Sequence, residues 1–335
     1  MSTNHQIKLA ARPEGLPKRS DWEFTEAPIP EPEDGQVLLK ILYISLDPAM
    51  RGWMNAARSY IPPVRIGQVM RAGTLAVVVK SKHPELKEGD YVTGTNGVQE
   101  YALSKGDDLI KIDPSIADLP TFLGVLGMPG MTAYFGLLNT GLPKEGENLV
   151  VSGAAGAVGT VVGQIAKIKG LHVTGIAGGA EKCAYVKDEL GFDEAVDYRN
   201  EDVLKSLKKI HKKGLDIYFD NVGGDMLDDV LANIRRGARI VICGAISQYN
   251  NTEGVKGPAN YLQLLVHRAR MEGIVVFDNY EKFPDAQREM AGWIKEGKLK
   301  AKEHVVEGLE TFPETLLMLF NGGNFGKLCI KVADA

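Results

Sequence analysis

Residues 148–170 read NLVVSGAAGAVGTVVGQIAKIKG, and no other stretch limits the possible folds as much. An apolar run from Asn148 to Ser152 breaks into Gly153-Ala154-Ala155-Gly156-Ala157-Val158-Gly159. Helical periodicity follows, with Val158, Val161, Val162, Ile165 and Ala166 on one face. Strand, glycine turn and helix together are the context a dinucleotide fingerprint needs. The glycines let the backbone turn tightly and approach a pyrophosphate. The helix N-terminus then offers free N–H groups and a positive dipole to the phosphates. The spacing is GxxGxxG rather than GxGxxG. Glycines at a strand-to-helix turn also arise for purely structural reasons, so the flanks carry the cofactor reading.

A chain of 335 residues is long enough for two domains. Its net charge of −4 offers no surface suited to nucleic acid or an anionic membrane. No uninterrupted apolar run approaches the ~18 residues of a membrane span. The opening MSTNHQIKLAARPEG lacks an apolar signal core, which predicts a cytoplasmic protein. Cys183, Cys243 and Cys329 are odd in number and widely spaced, against a disulfide framework. There is no CxxC and no HExxH, and the six histidines are scattered.

Residues 1–126 read as β-rich. VLLKILYISL (37–46), TLAVVVKS (74–81), DYVTGT (90–95) and DLIKID (108–113) are short β-branched runs bounded by Gly, Pro and Asp. Pro28, Pro30 and Pro32 mark an extended segment. After Met128 strands alternate with helices. The strands are NLVVSG (148–153), HVTGIAG (172–178), EAVDY (194–198), DIYFDNV (216–222), RIVICGA (239–245) and RMEGIVVF (270–277). This pattern predicts an α/β fold with a doubly wound parallel sheet over 127–298. Beyond Lys298, HVVEGL (304–309) and KLCIKV (327–332) are strands again, so 299–335 is expected to return to the first domain. A ligand cleft is expected between the two domains.

NAD sites usually carry an acid at the end of the second strand, which binds the ribose 2′-hydroxyl. Here that strand ends Ile176-Ala177-Gly178-Gly179-Ala180, with no carboxylate before Glu181. Lys182 follows, and Tyr198-Arg199 closes the third strand. A missing acid with a cation nearby predicts a 2′-phosphate, hence NADP. The competing reading of Lys182 is a solvated lysine on a helix face.

At this point the chain resembles the zinc-independent medium-chain dehydrogenase/reductases, in the branch of prostaglandin, alkenal double-bond and curcumin reductases. The resemblance spans the whole chain. Its carriers are Leu46-Asp47-Pro48-Ala49-Met50-Arg51-Gly52, Gly127-Met128-Pro129-Gly130-Met131-Thr132-Ala133-Tyr134 and the glycine turn. Glu181-Lys182, Asp220-Asn221-Val222-Gly223-Gly224 and Cys243-Gly244-Ala245-Ile246-Ser247 are further carriers. Arg270-Met271-Glu272-Gly273 and Asn324-Phe325-Gly326-Lys327 complete them. The resemblance implies a Rossmann sheet inserted in a β-rich, GroES-like catalytic domain. It implies that Ala155, Gly156, Ala157 and Val158 line the pyrophosphate turn, and that Lys182 and Tyr198 hold the 2′-phosphate. Asn221 is placed beside the ribose, and Met128, Thr132, Cys243, Ala245 and Ile246 around the nicotinamide half. Phe277 and Asn324 close over it, and Tyr261 lies near the substrate carbonyl. Many relatives carry tyrosine at the position of Ala49, so the pocket here is expected to be differently shaped. The zinc-dependent branch is excluded at Leu42-Tyr43-Ile44-Ser45-Leu46, where its ligand set begins and where no Cys or His stands.

The activity implied is NADPH-dependent reduction of the carbon–carbon double bond of an α,β-unsaturated ketone or aldehyde. Hydride attacks the β-carbon, and charge builds on the carbonyl oxygen. A donor aimed at that oxygen stabilises the transition state more than the ground state. Tyr261 and the nicotinamide ribose hydroxyl are the candidates. Residue by residue, plainer readings stand beside these roles. Tyr261 could anchor a helix, Asn221 could cap one, and Asn324-Phe325-Gly326 could be a turn. Met128 and Phe277 could be core. The competing functions are a quinone reductase and a cofactor-binding sensor or structural protein without turnover. RMEGIVVF is expected to form a long apolar edge strand, which predicts a homodimer joined edge to edge.

Overall fold

The computed structural model describes residues 3–335. It opens on a hairpin of β1 (Thr3–Leu9) and β2 (Trp22–Pro28), with Thr3 opposite Pro28 and Leu9 opposite Trp22. Neither strand stands out in the sequence, because polar residues alternate with Ile7 and Leu9, which are buried. Next come β3 (Val37–Ser45), the short helix α1 (Ala49–Trp53), β4 (Thr74–Ser81), β5 (Tyr91–Gly94), β6 (Tyr101–Ser104) and β7 (Ile110–Ile112).

The second unit, Gly124–Lys302, begins with α2 (Met128–Phe135). Strands and helices then alternate. β8 (Asn148–Ser152) leads to α3 (Ala157–Ile168), β9 (His172–Ala177) to α4 (Ala180–Ala184), and β10 (Glu194–Asp197) to α5 (Val203–Ile210). β11 (Leu215–Asp220) leads to α6 (Gly224–Leu231), and β12 (Ile234–Ile242) to α7 (Leu262–His267). β13 (Arg270–Gly273) precedes α8 (Phe283–Lys295). All six strands are parallel, in the order β10-β9-β8-β11-β12-β13. That is a doubly wound sheet whose strand order reverses between β8 and β11. Ligands bind such sheets at the carboxyl ends of the strands beside that reversal. β8 and β11 are buried almost throughout, which explains the nearly uninterrupted apolar run of β8, while β11 carries Asp216 and Asp220 among its buried residues.

The chain then re-enters the first unit, which comprises the residues through Leu123 together with Glu303–Ala335. β14 (Glu303–Glu307), α9 (Phe312–Asn321) and β15 (Lys327–Lys331) complete it. β15 lies antiparallel to β3, with Cys329 opposite Ser45, so the last strand is part of the first sheet. The order is β14-β15-β3-β4-β5-β7, with β6 also paired to β3. Leu39, Ile41, Ile44, Met50, Val92, Phe312 and Ile330 form its core.

The ends of the second unit have local causes. The Gly124 carbonyl accepts the Gly127 and Gly130 amides, which binds residues 124–127 to α2. Lys300 and Gln164 exchange two hydrogen bonds, 2.8 and 3.1 Å, which ties the segment before β14 to α3. The sixth strand corrects an expectation. It is not a long apolar edge over 270–277 but four residues, all exposed, followed by a turn over Val276–Lys282. Its neighbour in the sheet, β12, ends at Ile242, because the Cys243 and Gly244 amides turn away to the Asp220 carbonyl. Among the described residues no ladder partner remains beyond Ile274. Among the described residues no helix is long and apolar enough to cross a membrane.

Candidate functional site

The carboxyl edge of the parallel sheet gathers most of the sequence-selected residues. The first crossover is the glycine turn itself. Gly153 has φ +60°, a conformation that favours glycine. A Cβ on Gly159 would stand 2.3 Å from the Gly153 carbonyl oxygen, so α3 can approach β8 this closely only without one. Gly156 is the N-cap residue of α3 and makes no side-chain cap hydrogen bond. The 12-residue helix therefore presents its first-turn amides, those of Ala157 and Val158 among them, without a side-chain acceptor. This is the cradle a pyrophosphate requires.

One strand over, β9 runs into Gly178 and Gly179. A Cβ at Gly178 would lie 2.8 Å from the Tyr198 ring, so an acidic side chain there collides with Tyr198 as placed. Lys182 lies one turn on, in α4. Its ammonium is held below its ordinary pKa, first by burial and then by the positive charge of Arg199, with Glu181 opposing. Two cations and a tyrosine thus stand where an NAD site has its acid.

On the other side of the turn, Asn221 follows β11. Its Nδ2 donates to the Ser152 carbonyl at 2.7 Å, and its backbone N–H donates to Ser152 Oγ at 3.0 Å. Gly223, not Asn221, holds the N-cap position of α6, so the capping alternative does not apply. Beneath this turn lies Asp220, the first residue of the motif Asp220-Asn221-Val222-Gly223-Gly224. Its Oδ1 accepts the Ser152 and Tyr218 hydroxyls and the Val222 and Gly223 amides, at 2.9–3.2 Å. Burial raises its carboxyl above the usual range, against those four hydrogen bonds. Cys243, Ala245 and Ile246 follow β12. The Ile246 amide donates to the Asn221 carbonyl, and the Ala245 amide to the Tyr249 hydroxyl. The Cys243 thiol is pushed up to about 12, by burial first and the Asp220 charge second, so it is neutral and not a nucleophile.

The remaining residues lie off the strand ends. Met128 opens α2, and Thr132 one turn on bonds back to its carbonyl at 2.8 Å. Phe277 is exposed in the turn after β13. Tyr261 ends the turn before α7 and is 57% exposed. That turn is fixed by Asp228, whose carboxylate accepts the Ala259 and Asn260 amides. With the ring exposed and no residue of α7 buried, Tyr261 does not anchor a helix within this chain. In the first unit, Asn324 is buried, and its Nδ2 donates to the Gly326 carbonyl at 3.1 Å.

Known proteins share this pattern. The first unit matches a family model described as "N-terminal domain of oxidoreductase" over residues 5–112, and the second a model described as "Zinc-binding dehydrogenase" over 157–292. An Escherichia coli (strain K12) protein named "NADPH-dependent curcumin reductase" is 46% identical, covering 98% of this chain and 97% of its own. A Nicotiana tabacum "2-alkenal reductase (NADP(+)-dependent)" is 42% identical, covering 99% of this chain and 98% of its own. The solved structure of CurA from Vibrio vulnificus in complex with NADPH superposes with a TM-score of 0.94 at 45% identity, covering 99% of this chain and all of that one. The chain belongs to the medium-chain dehydrogenase/reductases.

Within this family, two of the quoted motifs prove to be structural partners. Lys327 is fully buried. Its Nζ meets Asp47 Oδ1 at 2.6 Å and the Leu46 carbonyl at 2.9 Å, which joins NFGK to LDPAMRG. Arg51 is buried too, and donates to the Gly15 and Pro13 carbonyls and to Asn55 Oδ1. Breaking such a buried pair leaves an uncompensated charge, so these residues belong to the fold of the first unit. Among the described residues no group of three or more His, Cys, Asp or Glu could hold a metal ion.

Proposed function

We propose that this chain reduces the carbon–carbon double bond of α,β-unsaturated ketones or aldehydes with NADPH. The observation that carries the cofactor is the second strand's end, where Gly178 packs under Tyr198 and Lys182 stands in place of an acid. The reaction class rests on whole-length likeness to relatives named as curcumin and alkenal reductases.

Bound NADPH supplies a hydride to the substrate's β-carbon. The first-turn amides of α3, with Ala155, Gly156, Ala157 and Val158, hold the pyrophosphate. Lys182 and Tyr198 take the 2′-phosphate, and Asn221 stands at the ribose. Cys243, Ala245 and Ile246, with Met128 and Thr132, line the nicotinamide half, where the neutral thiol neither attacks substrate nor binds a cation. Phe277 closes over it. Tyr261 donates its O–H to the carbonyl oxygen as negative charge grows there. A donor pre-aimed at developing charge needs no reorganisation during the reaction. A proton from water, added at the α-carbon of the enolate, completes the saturated product.

The assembly we propose is a homodimer. β13 is an exposed edge strand, and Leu262, Leu265 and Val266 of the neighbouring α7 are exposed as well. Free Cys183, Cys243 and Cys329 favour a reducing, cytoplasmic location.

NADPH oxidation followed with an enone, a quinone and no acceptor tests the reading. Enone-dependent turnover that resists strong chelators is expected. Turnover with quinone alone would make the chain a quinone reductase, and NADPH binding without turnover would make it a sensor.

A further inference from the structure

We infer that Asp197 is a positioning residue for NADPH, the clamp that brings the two halves of the 2′-phosphate site together. The halves come from different crossovers. Lys182 belongs to the segment after β9, and Tyr198 to the segment after β10. Asp197 is the last residue of β10 and is buried at the junction. Its Oδ1 accepts the Gly179 amide at 2.7 Å and the Arg199 amide at 3.0 Å. Its Oδ2 accepts the Asn200 side-chain amide at 2.7 Å. One carboxylate therefore grips the loop leading to Lys182 and the loop carrying Tyr198. Gly179 sits at φ +96°, so the orientation of its amide toward Asp197 is a specific backbone choice. These donors hold the carboxyl below its ordinary range, the Asn200 amide foremost, so it is ionised at neutral pH.

A carboxylate beside a phosphate site is a paradox in electrostatic terms alone. Through space it repels the phosphate, and its removal would tighten binding. Its charge is instead directed at three N–H donors, which are strong because the acceptor is ionised. The geometric and the through-space roles thus predict opposite signs, which makes the inference testable. It rests on the assignment of Lys182 and Tyr198 to the 2′-phosphate.

The probes are 2′,5′-ADP and 5′-AMP, titrated calorimetrically into wild type, Asp197→Ala, Asp197→Asn and Lys182→Ala. Asp197→Ala should weaken 2′,5′-ADP by about tenfold or more and leave 5′-AMP within about threefold. Asp197→Asn keeps one acceptor oxygen for the two backbone amides but loses the charge and the acceptor for Asn200, so its 2′,5′-ADP affinity should fall between those of wild type and Asp197→Ala, with 5′-AMP within about threefold. Asp197→Ser, whose short hydroxyl cannot span both amides, replaces the alanine variant if that one fails to fold. Tighter or unchanged 2′,5′-ADP binding in Asp197→Ala overturns the inference. So does an equal loss of both probes, which would make Asp197 a general fold residue. Lys182→Ala is the separate control. If it binds 2′,5′-ADP as wild type does, the phosphate assignment itself fails, whatever Asp197 does.

Discussion

Tyr261 carries the chemical part of the account at the residue scale. Its ring is more than half exposed on a turn pinned by Asp228, so its hydroxyl has no packing duty to protect. Loss of a main oxyanion donor costs about 2.7–4 kcal/mol, and a shared one less. Tyr261→Phe should therefore lower kcat with an enone by roughly ten- to a hundredfold. NADPH affinity should stay unchanged, since the hydroxyl serves the substrate. Unchanged kcat, with chemistry rate-limiting, would remove Tyr261 from the reaction. Sequence reasoning reaches residues such as Lys182 and Gly178 because they break a known rule, the acid after the second strand. It misses Asp197 and Asp220, whose work is done through backbone amides of neighbouring loops. Nothing in EAVDY or FDNV announces which amides will point at those carboxylates.

At the scale of elements, the parallel sheet is legible and the hairpin at the start is not. Buried parallel strands such as NLVVS read as continuous apolar runs. The β1–β2 hairpin buries one face and reads as polar. The length of β13 was also not legible, because it is set by where β12 turns away rather than by its own apolar residues. One glycine substitution probes the crossover that matters most, and a second, elsewhere, is its control. Gly159→Ala places a Cβ against backbone atoms of Gly153 and Ala154 that cannot move aside singly. Overpacking of this kind costs about 1–3 kcal/mol, and weaker NADPH binding should accompany the lower Tm. Gly292→Ala, in α8 with nothing within 4 Å of the new Cβ, should instead raise stability by about 0.5–1 kcal/mol. Equal effects in the two variants would contradict the close approach of α3 to β8.

His211 makes a second test of the same layer. It is buried at the end of α5 and within 2.9 Å of Thr174 in β9. Burial, then the charge of His172, lowers it to about 4 from 6.5. Between those pH values the unfolded chain binds a proton that the folded chain refuses. Stability is thus complete above about pH 6.5 and falls as the pH drops toward 4, by on the order of 3 kcal/mol. Denaturant titrations across this range should show a shallower acid loss for His211→Gln than for wild type. Parallel curves would remove His211 from the acid response.

For the whole molecule, the exposed edge of β13 and the bare side chains of α7 bear on assembly. Leu262, Leu265 and Val266 are all exposed on this one short helix, and a clustered apolar face, unlike a single exposed leucine, marks an interaction surface. Sedimentation should find a dimer, and Leu265→Glu should shift it toward monomer. A wild-type monomer at micromolar concentration would leave that apolar face without the partner proposed for it. The proposed reaction delivers hydride to the β-carbon of an enone rather than to its carbonyl carbon. NADPH deuterated at the transferred position, turned over with an enone and examined by NMR, tests it directly. A saturated ketone with one deuterium at the β-carbon and none at the carbonyl carbon is expected. Deuterium on a carbinol carbon, in an unsaturated alcohol, would contradict it.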